Sequence, residues 1–206
     1  MNPAASTPNL FVFASKKRVI ARLLGMASII GIVCTGYPVA GFGGDTACPS
    51  GEQALGNFQP ATTNKTVPEA PFLADDGSRH TLRDYRGKGI VLNFWATWCA
   101  PCVREMPQLD RLSALVRDNG IEVLTVSEDR KGMVLAPKFY KKNKLRDLPV
   151  LVDEKSGLLK AFKAKGLPTT VLINAQGHEI GRVLGTVEWD SIEAVEFVRK
   201  CLSPGR

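Results

Sequence analysis

Two cysteines separated by two residues, Cys99 and Cys102, lie where a short apolar run gives way to a helical pattern. The run from Ile90 to Trp95 has the length and composition of one strand that is buried on both faces. After Cys99, apolar residues recur at mostly three-residue spacing, which predicts an amphipathic helix ending near Asn119-Gly120. The cysteine pair is therefore predicted at the start of a helix that follows a central strand.

The start of a helix favours a reactive thiol. The unpaired N–H groups and the positive end of the helix dipole stabilise the thiolate, which is the nucleophile in disulfide exchange. Because Cys99 is nearer that end, we predict that it attacks a substrate disulfide. Cys102, one turn deeper, then releases the substrate. Pro101 fits the first helical turn, where its missing N–H costs nothing.

Other uses of a cysteine pair also have to be weighed. A zinc site normally needs four ligands, and the chain has two histidines, His80 and His178, and no second Cys-x-x-Cys. A copper site built from two thiolates and a histidine is conceivable. A purely structural disulfide is disfavoured by the two neighbouring tryptophans and the helix start. We expect a redox-active pair, with no metal site and no cofactor.

The rest of the chain alternates between strand and helix patterns. Phe72-Leu73 and His80 to Leu82 flank a turn and predict a hairpin. Further strands are predicted at 121–126, 150–152, 169–173 and 179–184, and helices at 133–144, 158–165 and 190–202. This order predicts an α/β fold with a central mixed sheet, helices on both faces and an N-terminal β-hairpin extension.

Residues 1–44 differ from the rest of the chain. They contain four basic residues and no acidic one, and no charge occurs from Leu23 to Gly44. A basic cluster before an apolar run is typical of a signal anchor or a cleaved signal peptide. We expect a retained anchor, with cleavage as the main alternative and a buried core helix disfavoured; the basic flank stays cytoplasmic. Residues 45–70 are predicted to be a linker and residues 71–206 the folded domain.

The formal net charge of +7 is unevenly distributed. Beyond residue 44 the chain has 23 basic and 20 acidic residues, so we expect no nucleic-acid binding. One basic run stands out, made of Lys138, Lys141, Lys142, Lys144 and Arg146. A solvated helix face is the favoured interpretation, and an acidic partner or a lipid surface is the alternative.

The residues from Trp95 to Cys102 resemble the active-site signature of thioredoxins. Their continuation, Val103 to Pro107, is similar to the membrane-anchored periplasmic TlpA/ResA branch, and the similarity extends over about residues 67–202. The resemblance implies a thioredoxin-like fold and a thiol:disulfide oxidoreductase. It also implies that Pro168 follows a cis peptide bond and faces the cysteine pair. Trp98, Leu167 and Pro168 are accordingly expected to bind substrate, Leu167 through its backbone.

Asn93 departs from cytosolic thioredoxins, which carry a buried aspartate two residues before the first tryptophan of the motif. An amide cannot take a proton from Cys102. By resemblance to the ResA-like branch, Glu105 is expected to be the acid–base partner, with a raised pKa if it is partly buried. A solvated glutamate paired with a lysine is the alternative.

The resemblance also bears on Cys48 and Cys201, since TlpA-like proteins can carry an extra disulfide that ties the N-terminal segment to the body. These two cysteines are candidates for it, and the alternative for Cys201 is an ordinary buried thiol. For function, the resemblance implies a periplasmic reductant, re-reduced by a membrane thiol reductant of the DsbD/CcdA type. Its clients would be disulfide-bearing proteins of cytochrome oxidase assembly or cytochrome c maturation, and we expect a monomer. A disulfide-forming oxidase or isomerase, or a non-catalytic metal-site assembly factor, remains open.

Overall fold

The computed structural model describes Cys48 and residues 51–205. The predicted anchor segment, residues 1–44, lies outside the described residues. Within the described part, every helix falls short of the length and apolarity that a membrane crossing requires.

Within residues 51–205, eight strands form one mixed sheet. They are β1 (Phe58–Pro60), β2 (Phe72–Ala74), β3 (Arg79–His80), β4 (Gly89–Trp95), β5 (Ile121–Ser127), β6 (Leu151–Val152), β7 (Thr169–Ile173) and β8 (Glu179–Leu184). Their spatial order is β1-β8-β7-β4-β5-β6-β2-β3. Strands β4, β5 and β6 run parallel to one another, whereas every other neighbouring pair is antiparallel. The long strand β4 thus lies at the centre, as a strand buried on both faces must.

Five α-helices of the described part of the chain pack around this sheet. They are α1 (Glu52–Leu55), α2 (Ala100–Val116), α3 (Gly132–Asn143), α4 (Gly157–Ala161) and α5 (Ile192–Leu202). Side chains alternate along β4, so that Val91 and Trp95 join the core formed with α2, α3 and α5. The intervening residues Leu92 and Phe94 join a second core, formed with α4 on the opposite face. Helices therefore cover both faces of the sheet.

The sequence predicts a linker over residues 45–70, but the structure places α1 and β1 within that range. Phe58 pairs with Val183 of β8, and its ring packs edge-on against Phe197 at 5.3 Å between centroids. Leu55 is also buried in the core. A three-residue strand is too short to show a periodic pattern, so its position depends on the partner strand rather than on its own sequence. The linker prediction is corrected for this stretch.

The predicted hairpin is part of the main sheet, and the fourth helix is shorter than predicted. β2 and β3 pair antiparallel, and β2 pairs in addition with β6, so both strands extend the main sheet. The sequence predicts a helix over 158–165, whereas α4 ends at Ala161. Lys163 has a left-handed backbone with φ of 53°, which cannot continue a right-handed helix.

Candidate active site

The N-terminus of α2 holds both cysteines of the motif. Cys99 caps the helix in an extended conformation, and its Sγ accepts a hydrogen bond from the N–H of Cys102 at 3.4 Å. The two sulfurs form a disulfide, with 5.3 Å between the Cα atoms. Pro101 occupies the first turn. A thiolate on Cys99 would therefore lie at the positive end of the helix.

The two cysteines differ in accessibility. Cys99 retains 6% exposure and Cys102 has none, so a substrate sulfur can approach only Cys99. Trp98, immediately before Cys99, is 70% exposed, an unusual position for a large aromatic side chain. Trp95 is fully buried and packs against Phe139 of α3 with 4.8 Å between ring centroids. One tryptophan thus belongs to the surface beside the reactive sulfur, and the other belongs to the core beneath it.

The loop leading to Cys99 is held by Asp129, which follows β5. Its carboxylate accepts hydrogen bonds from the backbone N–H of Thr97 at 2.9 Å and from the Thr97 hydroxyl at 2.8 Å. In addition, the N–H of Glu128 donates to the carbonyl of Trp95 at 2.8 Å. The end of β5 therefore fixes the turn that presents Cys99. Asp129 was not predicted from the sequence, where the polar residues Ser127 to Asp129 at the carboxyl end of a central strand were the available signal.

Glu105 lies on α2, one turn beyond Cys102, and is 2% exposed. Its carboxylate accepts hydrogen bonds from Asn93 Nδ2 at 2.9 Å and from Trp189 Nε1 at 3.3 Å. Burial raises the pKa of Glu105 from an ordinary 4.5 to about 7, although these hydrogen bonds act in the opposite direction. Glu105 is therefore not the solvated glutamate paired with a lysine that was the alternative expectation.

Asn93 connects Glu105 to the neighbouring strand. Its Nδ2 also donates to Thr170 Oγ1 on β7 at 2.9 Å, whereas its Oδ1 is buried without a hydrogen-bond partner.

A second acid, Glu128, is buried at the end of β5. Burial raises its pKa to about 8, nearby Asp153 adds to the effect, and Ser156 and Lys160 offset it only in part. Glu128 was not among the residues that the sequence pattern singled out.

The peptide bond between Leu167 and Pro168 is cis. β7 begins directly after it, at Thr169, which pairs with Phe94 near the end of β4. Leu167 and Pro168 therefore lie at the same end of the sheet as the loop that carries Trp98 and the cysteine pair.

Within the described residues, no three His, Cys, Asp or Glu side chains are grouped as a metal site requires.

The other two cysteines lie at the opposite end of the sheet. Cys48 and Cys201 form a disulfide with 5.3 Å between the Cα atoms, across 153 positions of sequence. Cys201 is near the end of α5, where Leu202 packs against the start of β4: a Cβ on Gly89 would lie 2.2 Å from the Leu202 carbonyl oxygen. This bridge attaches the beginning of the described chain to its last helix.

Comparison with known proteins identifies similar chains. Residues 63–178 match the family model described as the AhpC/TSA family. The thiol-disulfide oxidoreductase ResA of Geobacillus kaustophilus is 37% identical over 128 residues, which cover 62% of this chain and 72% of that protein. The ResA of Bacillus cereus (strain ATCC 10987) is 33% identical over 135 residues, which cover 64% of this chain and 76% of that protein.

Solved structures give the same result. A Chlorobium tepidum protein described as thiol:disulfide interchange protein DsbE superposes with a TM-score of 0.59 and 26% identity, covering 66% of this chain and 94% of that one. The exposed lipoprotein thioredoxin Etrx1 of Streptococcus pneumoniae has a TM-score of 0.52 and 32% identity. That match covers 61% of this chain and 96% of Etrx1.

Proposed function

The chain belongs to the AhpC/TSA family and is a thiol-disulfide oxidoreductase similar to ResA, and from this premise we propose that it reduces client disulfides outside the cytoplasm. Its substrates are disulfide-bearing, as this activity implies. One observation carries the proposal: a buried glutamate, Glu105, lies one turn beyond a cysteine pair that caps a helix. That arrangement supplies a nucleophile, a resolving thiol and a proton acceptor on a single helix.

The proposed cycle begins with the reduced pair. The Cys99 thiolate attacks a client disulfide, one client sulfur leaves and takes up a proton, and a mixed disulfide forms. Cys102 then loses its proton to Glu105 and attacks the Cys99 sulfur, which expels the second client sulfur as a thiolate that takes up a proton. Two electrons pass to the client, and the protein is left with the Cys99–Cys102 disulfide.

Glu105 is suited to the proton transfer. A general base works best when its pKa lies near the working pH, and burial brings the pKa of Glu105 to about 7. We propose Trp98, Leu167 and Pro168 as the substrate-binding residues. The exposed indole of Trp98 adjoins Cys99, and Leu167 and Pro168 lie at the same end of the sheet.

The location and partners belong to the same proposal. The uncharged run after the basic cluster of residues 1–44 supports a periplasmic protein anchored in the inner membrane, or released into the periplasm if the segment is cleaved. The Cys48–Cys201 disulfide is proposed to be structural and to persist in that oxidising compartment. We further propose a monomer, re-reduced by a membrane thiol reductant of the DsbD/CcdA type. Clients would belong to cytochrome oxidase assembly or cytochrome c maturation.

The direction of electron flow is tested by the reduction potential of the Cys99–Cys102 pair. We expect a value nearer about −270 mV than about −120 mV, since these values bracket reducing and oxidising members of the thioredoxin class. The potential is measured by equilibrating the protein with redox buffers and alkylating free thiols. A value near about −120 mV would contradict a reductant and favour a disulfide-forming oxidase.

The client class is tested by trapping. Cys102→Ser removes the resolving thiol, so the mixed disulfide with a client should accumulate. Cys99→Ser is the matched control, because it removes the nucleophile and should trap nothing. Trapped partners are identified by mass spectrometry after reduction. If the trapped proteins have no part in cytochrome oxidase assembly or cytochrome c maturation, the client assignment is wrong.

A further inference from the structure

One segment carries a strong excess of positive charge. Seven basic residues and no acidic one occur from Arg130 to Arg146, whereas the other residues of 51–205 comprise fifteen basic and nineteen acidic ones. We name this set the basic surface: Arg130, Lys131, Lys138, Lys141, Lys142, Lys144 and Arg146. It coincides with α3 and the residues on either side of it. The rest of the folded part is therefore slightly acidic.

No side chain of the basic surface forms an ion pair within residues 51–205, and all seven side chains are exposed. Two carboxylates accept backbone hydrogen bonds from this segment, Glu154 from the N–H of Met133 and Asp110 from the N–H of Arg146. Lys138, Lys141 and Lys142 are spaced three and four residues apart on one helix, a spacing at which like charges destabilise the helix. The negative end of the helix dipole offsets part of this repulsion, because Lys141 and Lys142 lie in the last turn of α3.

Two aliphatic side chains lie beside these charges. Val134 is 51% and Leu135 is 38% exposed, both in the first turn of α3. An apolar centre bordered by charged side chains is typical of a protein interface, where the apolar part contributes affinity and the charges guide association.

One end of the basic surface adjoins the active site, whereas its other end lies against the second half of α2, where Asp110 accepts a hydrogen bond from the N–H of Arg146. Arg130 directly follows Asp129, whose carboxylate holds Thr97 two residues before Cys99. Farther along α3, Phe139 contacts the ring of Trp95 at 4.8 Å between centroids. A protein bound to α3 would therefore lie next to the loop that presents Cys99.

We propose that the basic surface is a docking site for an acidic protein partner whose disulfide is then presented to Cys99. The proposal rests on the disulfide-reducing function proposed above and specifies the chemistry of the client. Positive charge beside the nucleophile would attract an acidic protein and raise its association rate at low ionic strength. Because one end of the basic surface is continuous with the loop that presents Cys99, a redox partner is favoured over a lipid surface as the binding partner.

The test measures how fast the reduced full chain, in neutral detergent, reacts with each of three disulfide probes. The probes are a glutamate-rich disulfide peptide, the same peptide with serine in place of glutamate, and hydroxyethyl disulfide. At low ionic strength we expect the glutamate-rich peptide to react about tenfold faster than the serine peptide. The advantage should disappear at high salt, because screening weakens attraction between exposed charges.

Two variants assign the effect to the surface. Lys138→Glu/Lys142→Glu should abolish the preference for the glutamate-rich peptide and leave the rate with hydroxyethyl disulfide unchanged. Lys65→Glu/Lys163→Glu is the matched control: it changes the net charge equally, and Lys163 follows α4 on the opposite face of the sheet. The control should keep the preference.

Several results would overturn the proposal. Equal rates for the two peptides would exclude electrostatic docking, and an equal loss in the control variant would attribute the effect to net charge. Lysine-dependent binding to phosphatidylglycerol vesicles without any peptide preference would identify a lipid surface instead. Failure of the wild-type protein to reduce hydroxyethyl disulfide would refute the reducing function itself, which separates that failure from a failure of docking.

Discussion

The amide of Asn93 on the central strand donates a hydrogen bond to the carboxylate of Glu105 on the cysteine-bearing helix, at 2.9 Å. This contact lies inside the core, where Glu105 has almost no access to solvent. It places an ionisable group between the main strand of the fold and the helix that performs the chemistry. The rate of disulfide reduction should therefore change with pH as Glu105 gains or loses its proton.

Glu105→Gln removes the proposed proton acceptor and preserves the shape of the side chain. We expect release of the client from the mixed disulfide to slow by at least about tenfold, because general acid–base catalysis contributes at least that much. The wild-type rate should rise through the pKa of about 7 as Glu105 ionises, and the variant should lack this inflection. Single-turnover reduction followed against pH measures both effects. Glu188→Gln, an exposed carboxylate, should behave like the wild type; equal slowing in both variants would contradict the assignment.

Glu128→Gln should change how stability depends on pH. Burial raises the pKa of Glu128 from an ordinary 4.5 to about 8, so the folded protein holds a proton that the unfolded chain releases between these values. The stabilisation that Glu128 contributes is therefore complete below about pH 4.5 and is lost as the pH rises toward about 8. Between about pH 5 and pH 8, the wild type should lose about 2–4 kcal/mol more unfolding free energy than the variant. Urea unfolding at the two pH values measures this, and parallel losses would refute it.

Asp129→Ala should destabilise the loop before Cys99. The substitution leaves the N–H of Thr97 without its acceptor. Because this contact is only partly buried, the cost should lie toward the lower end of the about 1–3 kcal/mol that a fully buried unpaired donor costs. Thr97→Val removes only the hydroxyl bond to Asp129 and should cost less. Chemical unfolding ranks the two variants, and the rate with hydroxyethyl disulfide shows whether Cys99 is still correctly presented. An equal effect of both variants would mean that the backbone bond contributes nothing.

Replacing Cys48 and Cys201 together with alanine should lower stability without changing the redox chemistry. A disulfide across 153 positions constrains the unfolded chain strongly, and its loss typically costs about 2–5 kcal/mol. The rate with hydroxyethyl disulfide should be unchanged, because the bridge lies at the end of the sheet opposite Cys99. Thermal unfolding and the exchange rate are measured on the same preparation. A reduced rate in a protein of normal stability would show that this bridge is part of the redox chemistry.

Much of the fold could be predicted because its central elements carry local patterns. β4 has an apolar run and α2 a helical period. The solved structure of the Chlorobium tepidum DsbE-like protein confirms the predicted thioredoxin-like fold, and the match with ResA confirms the predicted oxidoreductase activity. α1 and β1 could not be predicted, since short elements acquire their conformation from β8 and α5 rather than from their own sequence.

The candidate site was predictable only in part for a similar reason. The cysteine pair is a local motif, whereas the burial of Asp129 and Glu128 depends on segments distant in sequence. A polar pair after a strand ordinarily indicates a solvent-exposed turn. Here the loop at Thr97 covers Asp129, and residues near Ser156 lie beside Glu128. Only the assembled structure reveals that both acids are enclosed.

The orientation of the Asn93 side chain bears on the proposed transfer of a proton to Glu105. In the structure its Nδ2 donates to Glu105 and to Thr170, and its Oδ1 is unsatisfied. A half-turn of the amide would offer an acceptor to both neighbours, and a protonated Glu105 and the Thr170 hydroxyl can each donate. An aspartate at this position could only accept when ionised. The amide can thus pair with Glu105 in either protonation state, and rotation of this one side-chain amide is the only adjustment that the change of protonation requires.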